Sequence, residues 1–385
     1  MIELTGVTWG HIRAIDPLRV ASLSYSHLFK DVSVQWNVRT LADFEHQPLE
    51  ELVQHVDFVV FDHPYCGKLF NEQIFEPLKL AGLEADKASN FIGRSLETYQ
   101  YRGRTMGAPI DGATNHAVYR QDLLEAVGAE VPKSWQDVID LGHRVQLEGK
   151  KLGFAARGHH GLLVLAALCA NAGKPWGTTV GEPFAIDKDC LSDCVDALLE
   201  LLPLCSAESC DWNAIDLHNA MTLRDDIVYT PCVYGYAVYG EKNIYQNRLA
   251  FSNLPGRYEP FEAGSVIGGA AIGMSAFCKY KAEAQNYLSW LLKAEVQSDY
   301  FAAFHGQPAR VECWDNAEID DRFNGYYSSI RRSMETAWIR PRFYGYQEFE
   351  SQSGDRLELL LRGNISKQTF MNDVLELSVR HFRSW

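Results

Sequence analysis

The strongest structural signal in the sequence is MGAPIDGATNHAVYRQDLLEAVGAEVPKSWQDV, residues 106–138. The pattern predicts a strand that ends at Pro109-Ile110, a polar crossing that contains Asp111 and a glycine, and a short strand at 116–119. An amphipathic helix follows, and a capping box that starts at Ser134 opens the next helix. The chain is therefore expected to leave one packed unit here and to start a second one, with the crossing as a candidate hinge.

Three motifs in this stretch are G-x-P-x-D from Gly107, Y-R-x-D-L-L from Tyr119 and P-x-S-W-x-D from Pro132. Together they resemble the lobe crossing of bacterial extracellular solute-binding proteins of the carbohydrate-import type, the ligand receptors of ABC transporters. Three later segments are also similar to this family: Phe251–Gly256, Gly264–Gly273 and the end of a helix at Tyr300–Pro308. The resemblance covers nearly the whole chain. It implies an α/β, two-lobed periplasmic-binding-protein-like fold with a ligand cleft between the lobes.

The alternation of strands and helices also indicates an open α/β sheet without reference to any family. Ile2–Thr8 is a predicted strand, and Phe58–Phe61 is an apolar run typical of a parallel strand buried on both faces. The expected N-terminal lobe comprises 1–110 and about 268–320, the C-terminal lobe 113–265 and about 325–385, and the crossings lie near 111–115 and 265–268.

Length and charge limit the classes of function. A chain of 385 residues exceeds what one hydrophobic core usually holds, so two lobes are expected. A formal net charge of −14 argues against nucleic acid and anionic membrane as partners. No apolar run approaches the ~20 residues that a membrane-spanning helix needs, so membrane insertion is not expected. We expect a monomer.

The sequence signals for cellular location conflict with the resemblance. The first apolar segment, Ile2–Trp9, is short and acidic, unlike an export leader, and nine cysteines favour a reducing compartment. Cys190 and Cys194 lie one helical turn apart. These signals predict a cytoplasmic location for the chain as written, and a periplasmic one if an export leader has been removed.

Candidate binding residues follow the predicted strands, because ligands of open α/β sheets bind outside the carboxyl ends of the strands. An aromatic face covers the apolar C–H side of a sugar, and Asp and Asn side chains accept or donate hydrogen bonds around its rim. The first lobe and the crossing contribute Trp9, His11, Asp62, His63, Tyr65, Asp111 and Asn115; the second lobe contributes His159, Trp176, Tyr234 and Tyr236.

Two further candidates are the Gly268-Gly269 pair and Arg342. The glycines would let backbone N–H groups approach a ligand oxygen, or would simply allow close packing. Each candidate has a structural alternative. The aromatic residues could fill a core, the histidines could be satisfied structural groups, Asp62 could cap a turn, and Arg342 could be a solvated surface side chain.

Signals for catalysis are weak. No P-loop, G-x-S-x-G elbow, H-E-x-x-H or CxxC motif occurs, so we expect no metal and no cofactor. The predicted function is capture of a small polar solute, a carbohydrate or polyol, by hinge closure, with an ABC-transporter permease as partner if the protein is exported. The alternative is a cytosolic enzyme or metabolite sensor on the same scaffold, in which His11, His63 and Asp62 could serve in acid–base chemistry if they converge.

Overall fold

The computed structural model describes residues 1–80, 87–177, 184–258 and 264–382. The chain forms two compact units. Unit 1 contains Met1–Ala113, Tyr236–Val238 and Gly268–Ile319; unit 2 contains Thr114–Gly235, Tyr239–Ile267 and Asp320–Trp385. The chain first passes from unit 1 to unit 2 after Ala113, and it then passes between the two units four more times.

The strands of the described chain are mostly short and alternate with helices. They are β1 (Ile2–Trp9), β2 (Val32–Arg39), β3 (Phe58–Phe61), β4 (Phe75–Glu76), β5 (Gln100–Tyr101), β6 (Arg104–Thr105), β7 (Ala108–Tyr119), β8 (Lys151–Leu152), β9 (Ile227–Tyr234), β10 (Ala250–Ser252) and β11 (Ile267–Ser275).

The helices follow the same order. They are α1 (Ile12–Leu28), α2 (Leu41–His46), α3 (Leu49–Leu52), α4 (Cys66–Glu72), α5 (Ser95–Thr98), α6 (Gln121–Ala126), α7 (Trp135–Leu147), α8 (His159–Asn171), α9 (Lys188–Leu201), α10 (Ala214–Leu223), α11 (Lys281–Leu291), α12 (Ala294–Val296), α13 (Val311–Trp314), α14 (Ala317–Arg322), α15 (Tyr326–Ser329), α16 (Arg331–Glu335), α17 (Tyr346–Leu361) and α18 (Lys367–His381). Within the described ranges, none of these helices combines the length and the apolar character that a membrane crossing requires.

The sheet of unit 1 is built on three parallel strands and one antiparallel strand. β1 pairs in parallel with β2, from Ile2 opposite Val32, and with β3, where Val7 lies opposite Val59. β11 runs antiparallel to β3, with Ala271 opposite Phe61. All four residues of β3 are buried, as its apolar sequence predicts. The α/β fold class predicted from the sequence is confirmed.

Unit 2 has its own strands and helices. β9 pairs antiparallel with β7 and in parallel with β8, while β10 pairs antiparallel with β7. The capping box predicted for α7 is present, because the Ser134 hydroxyl accepts from the Asp137 N–H and the Asp137 carboxylate accepts from the Ser134 N–H. Helix α8, almost entirely buried, packs against α9 and α17 in the core of this unit.

The predicted interruption between two strands at the first crossing is wrong. β7 runs without a break from Ala108 to Tyr119, and the boundary between the units falls inside it, after Ala113. The polar residues stay extended because neighbouring segments satisfy their backbone groups. The Gly112 N–H donates to the Gln307 carbonyl at 2.9 Å, and the Gln307 side-chain amide donates to the Gly112 carbonyl at 2.7 Å.

Candidate functional site

In unit 1 the carboxyl ends of β1 and β3 lie side by side. The parallel register that places Val7 opposite Val59 brings Trp9 level with Phe61, so Asp62 follows immediately beyond. Several predicted site residues meet at this end of the sheet. We refer to the group as the strand-edge cluster, which comprises Trp9, His11, Arg13, Asp62, His63, Tyr65, Asp111 and Tyr236.

A buried ion pair lies at the centre of the strand-edge cluster. The Asp111 carboxylate accepts from Arg13 Nε at 2.8 Å and from Arg13 Nη2 at 2.5 Å, and each side chain is 5% exposed. Burial raises the pKa of Asp111, and the Arg13 guanidinium opposes that rise. The pair is bidentate, which fixes the orientation of both side chains.

Sequence reasoning missed Arg13, although a signal existed. Arg13 is the second residue of α1, where the positive end of the helix dipole disfavours a cation. A cation in that position indicates a specific anionic partner elsewhere in the fold. Asp111, 98 positions away in the sequence, is that partner.

Tyr236 covers the ion pair. Its ring lies 4.4 Å from the Arg13 guanidinium carbon and 4.9 Å from the His11 ring, which it meets edge-on. Burial raises the pKa of Tyr236. The structure groups Tyr236 with unit 1, although the sequence analysis drew it from the second lobe.

The two histidines of the cluster differ in environment. His11 is the N-cap of α1, and its Nδ1 accepts the Arg13 N–H at 3.2 Å, so the neutral ring carries its proton on Nε2. His63 is fully buried, with its Nδ1 3.0 Å from Asp62 Oδ1. The same Asp62 oxygen accepts the His63 backbone N–H at 2.8 Å, so Asp62 caps the short helix His63–Tyr65. The Asp62 side chain is 27% exposed.

An aromatic and basic group borders the cluster beside Trp9. The Trp9 ring lies 4.9 Å from the Phe44 ring, and the Arg39 guanidinium carbon lies 5.4 Å from the centre of the Phe44 ring. Burial lowers the pKa of Arg39 to about 10. The Tyr65 hydroxyl donates to the Glu45 carbonyl at 2.7 Å. Sequence reasoning missed Phe44 and Glu45, because the short helix α2 shows too few residues to reveal which face is buried. It missed Arg39, the last residue of β2, because the contact of its guanidinium with Phe44 forms only in the folded chain.

Gly269 lies where its backbone packs closely against the backbone at Asp111. Its φ is +105°, and a Cβ atom there would lie 2.2 Å from the Asp111 carbonyl oxygen. Its own carbonyl accepts the Tyr99 hydroxyl at 3.0 Å. Of the two roles considered for Gly268-Gly269, this geometry favours close packing at Gly269.

In unit 2, Asn115 and Tyr234 bond to neighbouring main chain. The Asn115 amide donates to the Leu163 carbonyl at 3.3 Å, and Asn115 is 1% exposed. The Tyr234 hydroxyl donates to the Ile267 carbonyl at 3.1 Å. Asn115 and Tyr234 are also paired across β7 and β9.

Two further candidates in unit 2 are His159 and Trp176. His159 begins α8, and its ring lies 4.3 Å from that of His160. Trp176 belongs to the hydrophobic core, where it is 1% exposed and meets Phe349 edge-on at 6.2 Å. This position matches the structural alternative for Trp176, in which the indole ring fills a core.

The basic segment near Arg342 contains a second buried ion pair. Arg340, 2% exposed, donates to the Glu350 carboxylate at 3.0 and 3.1 Å. Burial raises the pKa of the neighbouring Tyr346 well above its ordinary value. Arg342 itself is 9% exposed, unlike the solvated surface arginine considered as its alternative.

Comparison with known proteins identifies the family. The sequence model described as "bacterial extracellular solute-binding protein" matches residues 50–322, which is more than half of the chain. The chain belongs to this family. A curated relative of this solute-binding protein is the probable amino-acid ABC transporter periplasmic-binding protein y4oP of Sinorhizobium fredii (strain NBRC 101917 / NGR234), 19% identical over 265 residues. That match covers 66% of this chain and 58% of the relative's length.

Solved structures confirm the two-lobed, maltose-binding-protein-like fold of this solute-binding protein. Maltose-bound MalE3 of T. maritima has a TM-score of 0.83 at 15% identity, with 99% of this chain and 100% of that chain covered. A solute-binding protein of Thermotoga lettingae TMO bound with α-D-tagatose also has a TM-score of 0.83 at 15% identity, covering 98% and 100%. One from Agrobacterium vitis S4 with bound D-mannitol has 0.77 at 13% identity, covering 99% and 98%.

Proposed function

We propose that this solute-binding protein is the receptor of an ABC import system and that its solute is a carbohydrate or polyol. The family supports the receptor role, and the sugars and the polyol in the similar structures support the solute class. The observation that carries the proposal is the strand-edge cluster. It gathers indole, phenol and imidazole rings around two carboxylates at the carboxyl ends of β1 and β3.

Six members of the cluster have a role in this proposal. The partly exposed Asp62 accepts hydrogen bonds from solute hydroxyls, and His11 donates from Nε2. Trp9 and Tyr236 present apolar ring faces to the C–H side of the solute. The Arg13–Asp111 pair holds the surrounding side chains in position. The contributions of His63, Tyr65, Asn115, His159, Trp176, Tyr234, Gly268, Gly269 and Arg342 to binding stay predictions.

A neutral solute suits the cluster better than the amino acid named for the Sinorhizobium relative. An amino acid carries a carboxylate, which proteins usually bind through a charge-assisted pair with arginine. In unit 1 the Nε and Nη2 donors of Arg13 already bind the Asp111 carboxylate. This arrangement favours a ligand whose polar groups are hydroxyls.

A thermal-shift and calorimetric screen tests the solute class. Maltose, D-tagatose and D-mannitol form one arm, and amino acids and organic acids form the others. A solute present at 100 times its Kd stabilises the folded state by about 2.7 kcal/mol, which gives a clear rise in melting temperature. A rise with an amino acid alone would contradict the carbohydrate proposal, and no rise with any solute would contradict the receptor proposal.

A single substitution then locates the site. Asp62→Asn keeps the size of the side chain and should weaken binding of the solute by about 10- to 100-fold, because a charged acceptor is lost. Asp31→Asn is the matched control, since exposed Asp31 precedes β2 at the opposite end of the sheet. Equal affinity in both variants would remove Asp62 from the site.

The proposal also includes a location and a partner. A receptor of this family acts outside the cytoplasm and delivers its solute to a membrane permease. Fractionation of cells that express the native gene should recover the protein outside the cytoplasm. Recovery in the cytosol, combined with conversion of a bound metabolite, would favour the enzyme or sensor alternative. Radius-of-gyration measurements with and without solute test the closure predicted from the sequence.

A further inference from the structure

Three cysteines meet in the hydrophobic core of unit 2. Cys169 lies near the end of α8, and Cys190 and Cys194 lie one turn apart on α9. Their sulfur atoms are all within 4.8 Å of one another, and the Cys190 and Cys194 sulfurs are 4.0 Å apart. Cys169 and Cys194 are 1% and 0% exposed, whereas Cys190 is partly exposed.

This spacing suits a metal ion. Zinc–sulfur bonds of about 2.3 Å at tetrahedral angles place two thiolates about 3.8 Å apart. The 4.0 Å between the Cys190 and Cys194 sulfurs is close to that value, and a separation of up to 4.8 Å requires only small side-chain rotations. A disulfide would join only two of the three sulfurs, at about 2.05 Å, and would leave a buried thiol beside it.

The position of Cys190 favours negative charge on its sulfur. Cys190 lies in the first turn of the 14-residue α9, where backbone N–H groups and the helix dipole stabilise anions. The Arg257 guanidinium donates to the Asp193 carbonyl at 3.5 Å, which places a positive charge beside the same helix.

We propose that Cys169, Cys190 and Cys194 bind one thiophilic d10 cation, Zn²⁺ or Cu⁺. Soft thiolate ligands select these ions over Mg²⁺ or Ca²⁺. Three thiolates complete a trigonal Cu⁺ site, whereas Zn²⁺ would take water as a fourth ligand on the exposed side of Cys190. Binding releases the thiol protons and links α8 to α9 within the core of unit 2. The site is independent of the proposed solute.

Metal titration of the reduced, chelator-treated full chain tests the proposal. Cd²⁺ should produce thiolate-to-metal charge-transfer absorption that saturates at one equivalent, and Cu⁺, which binds thiolates more tightly than Cd²⁺ does, should displace it. Competition with a chromophoric chelator then gives the Zn²⁺ affinity. Cys190→Ser should lower that affinity by at least about 100-fold, because one of three thiolates is lost. It should also abolish the rise in melting temperature that Zn²⁺ causes in the wild type.

Matched controls separate this site from adventitious binding. Cys313→Ser removes a buried cysteine of unit 1 and should leave the Cd²⁺ absorption unchanged. Because Cys190 is the least buried of the three, its serine variant is expected to fold, and circular dichroism checks this. Metal binding that persists in Cys190→Ser, or a wild type without Cd²⁺ absorption, would overturn the proposal. So would a thiol assay that finds seven rather than nine thiols in denatured, unreduced protein, since it would indicate a disulfide.

Discussion

Asp111→Asn should lower the free energy of unfolding by about 3–5 kcal/mol, because it leaves the Arg13 guanidinium buried without its carboxylate partner. Both side chains are 5% exposed and are joined by two hydrogen bonds, of 2.8 and 2.5 Å. Arginine does not lose its proton in the accessible pH range. Because Asn does not titrate and the guanidinium stays charged, this site adds no pH dependence to the free energy of unfolding of the variant between pH 5 and pH 8.

The free energy of unfolding of Arg13→Met should depend on pH, in contrast to that of Asp111→Asn. Burial already raises the pKa of Asp111, and removal of the opposing guanidinium raises it further. The folded variant then binds a proton more tightly than the unfolded chain, whose Asp pKa is about 3.9. The stability of this variant is highest below that pKa. It falls as pH rises towards the folded-state pKa, by up to about 1.4 kcal/mol per pH unit.

Urea denaturation at pH 5 and pH 8, followed by circular dichroism and tryptophan fluorescence, measures both effects. Glu312→Gln is the matched control, because it removes the partner of another buried arginine, Arg310, but the Glu312 side chain is 48% exposed. This control should lose less than about 1 kcal/mol. A loss in Asp111→Asn no larger than in Glu312→Gln would refute the reasoning, as would a pH response of Arg13→Met identical to that of the wild type.

Two further predictions concern backbone features and use the same urea assay. Gly269→Ala should lose about 3 kcal/mol or more, since its Cβ would overlap the Asp111 carbonyl at 2.2 Å and φ is +105°. Gly103→Ala, with φ +77° and no atom within 4 Å of the added Cβ, should lose only about 1 kcal/mol, and equal losses would contradict the steric argument. Ser134→Ala should lose about 1 kcal/mol, because the N-terminal cap of α7 is removed. No loss in this variant would show that the capping box contributes nothing to stability.

Local sequence patterns were sufficient for the fold class and for much of the helix and strand placement. The apolar run Phe58–Phe61 forms β3, and the Ser134–Asp137 box starts α7. These features depend on residues within a few positions of one another, so the sequence displays them directly. The expectation that ligands bind outside the carboxyl ends of the strands also required only local information. It placed Trp9 and Asp62 at one edge of a sheet.

The pattern around Asp111 was locally misleading. Polar residues and a glycine typically mark a turn, but Gln307 satisfies the backbone of Gly112 from a distant part of the chain and keeps β7 extended. The sequence does not show which distant segment supplies those hydrogen bonds. Tertiary packing therefore overrode the local signal.

By itself the sequence determined an α/β solute-binding fold, because periodicity, caps and family motifs are encoded within short segments. Only the tertiary structure decided that Arg13 pairs with Asp111, that Tyr236 covers this pair, and that three cysteines from two helices meet in unit 2. Each of these arrangements joins residues far apart in the chain. Burial gives the Arg13–Asp111 pair its chemistry, since desolvation raises the pKa of Asp111 only where folding excludes water.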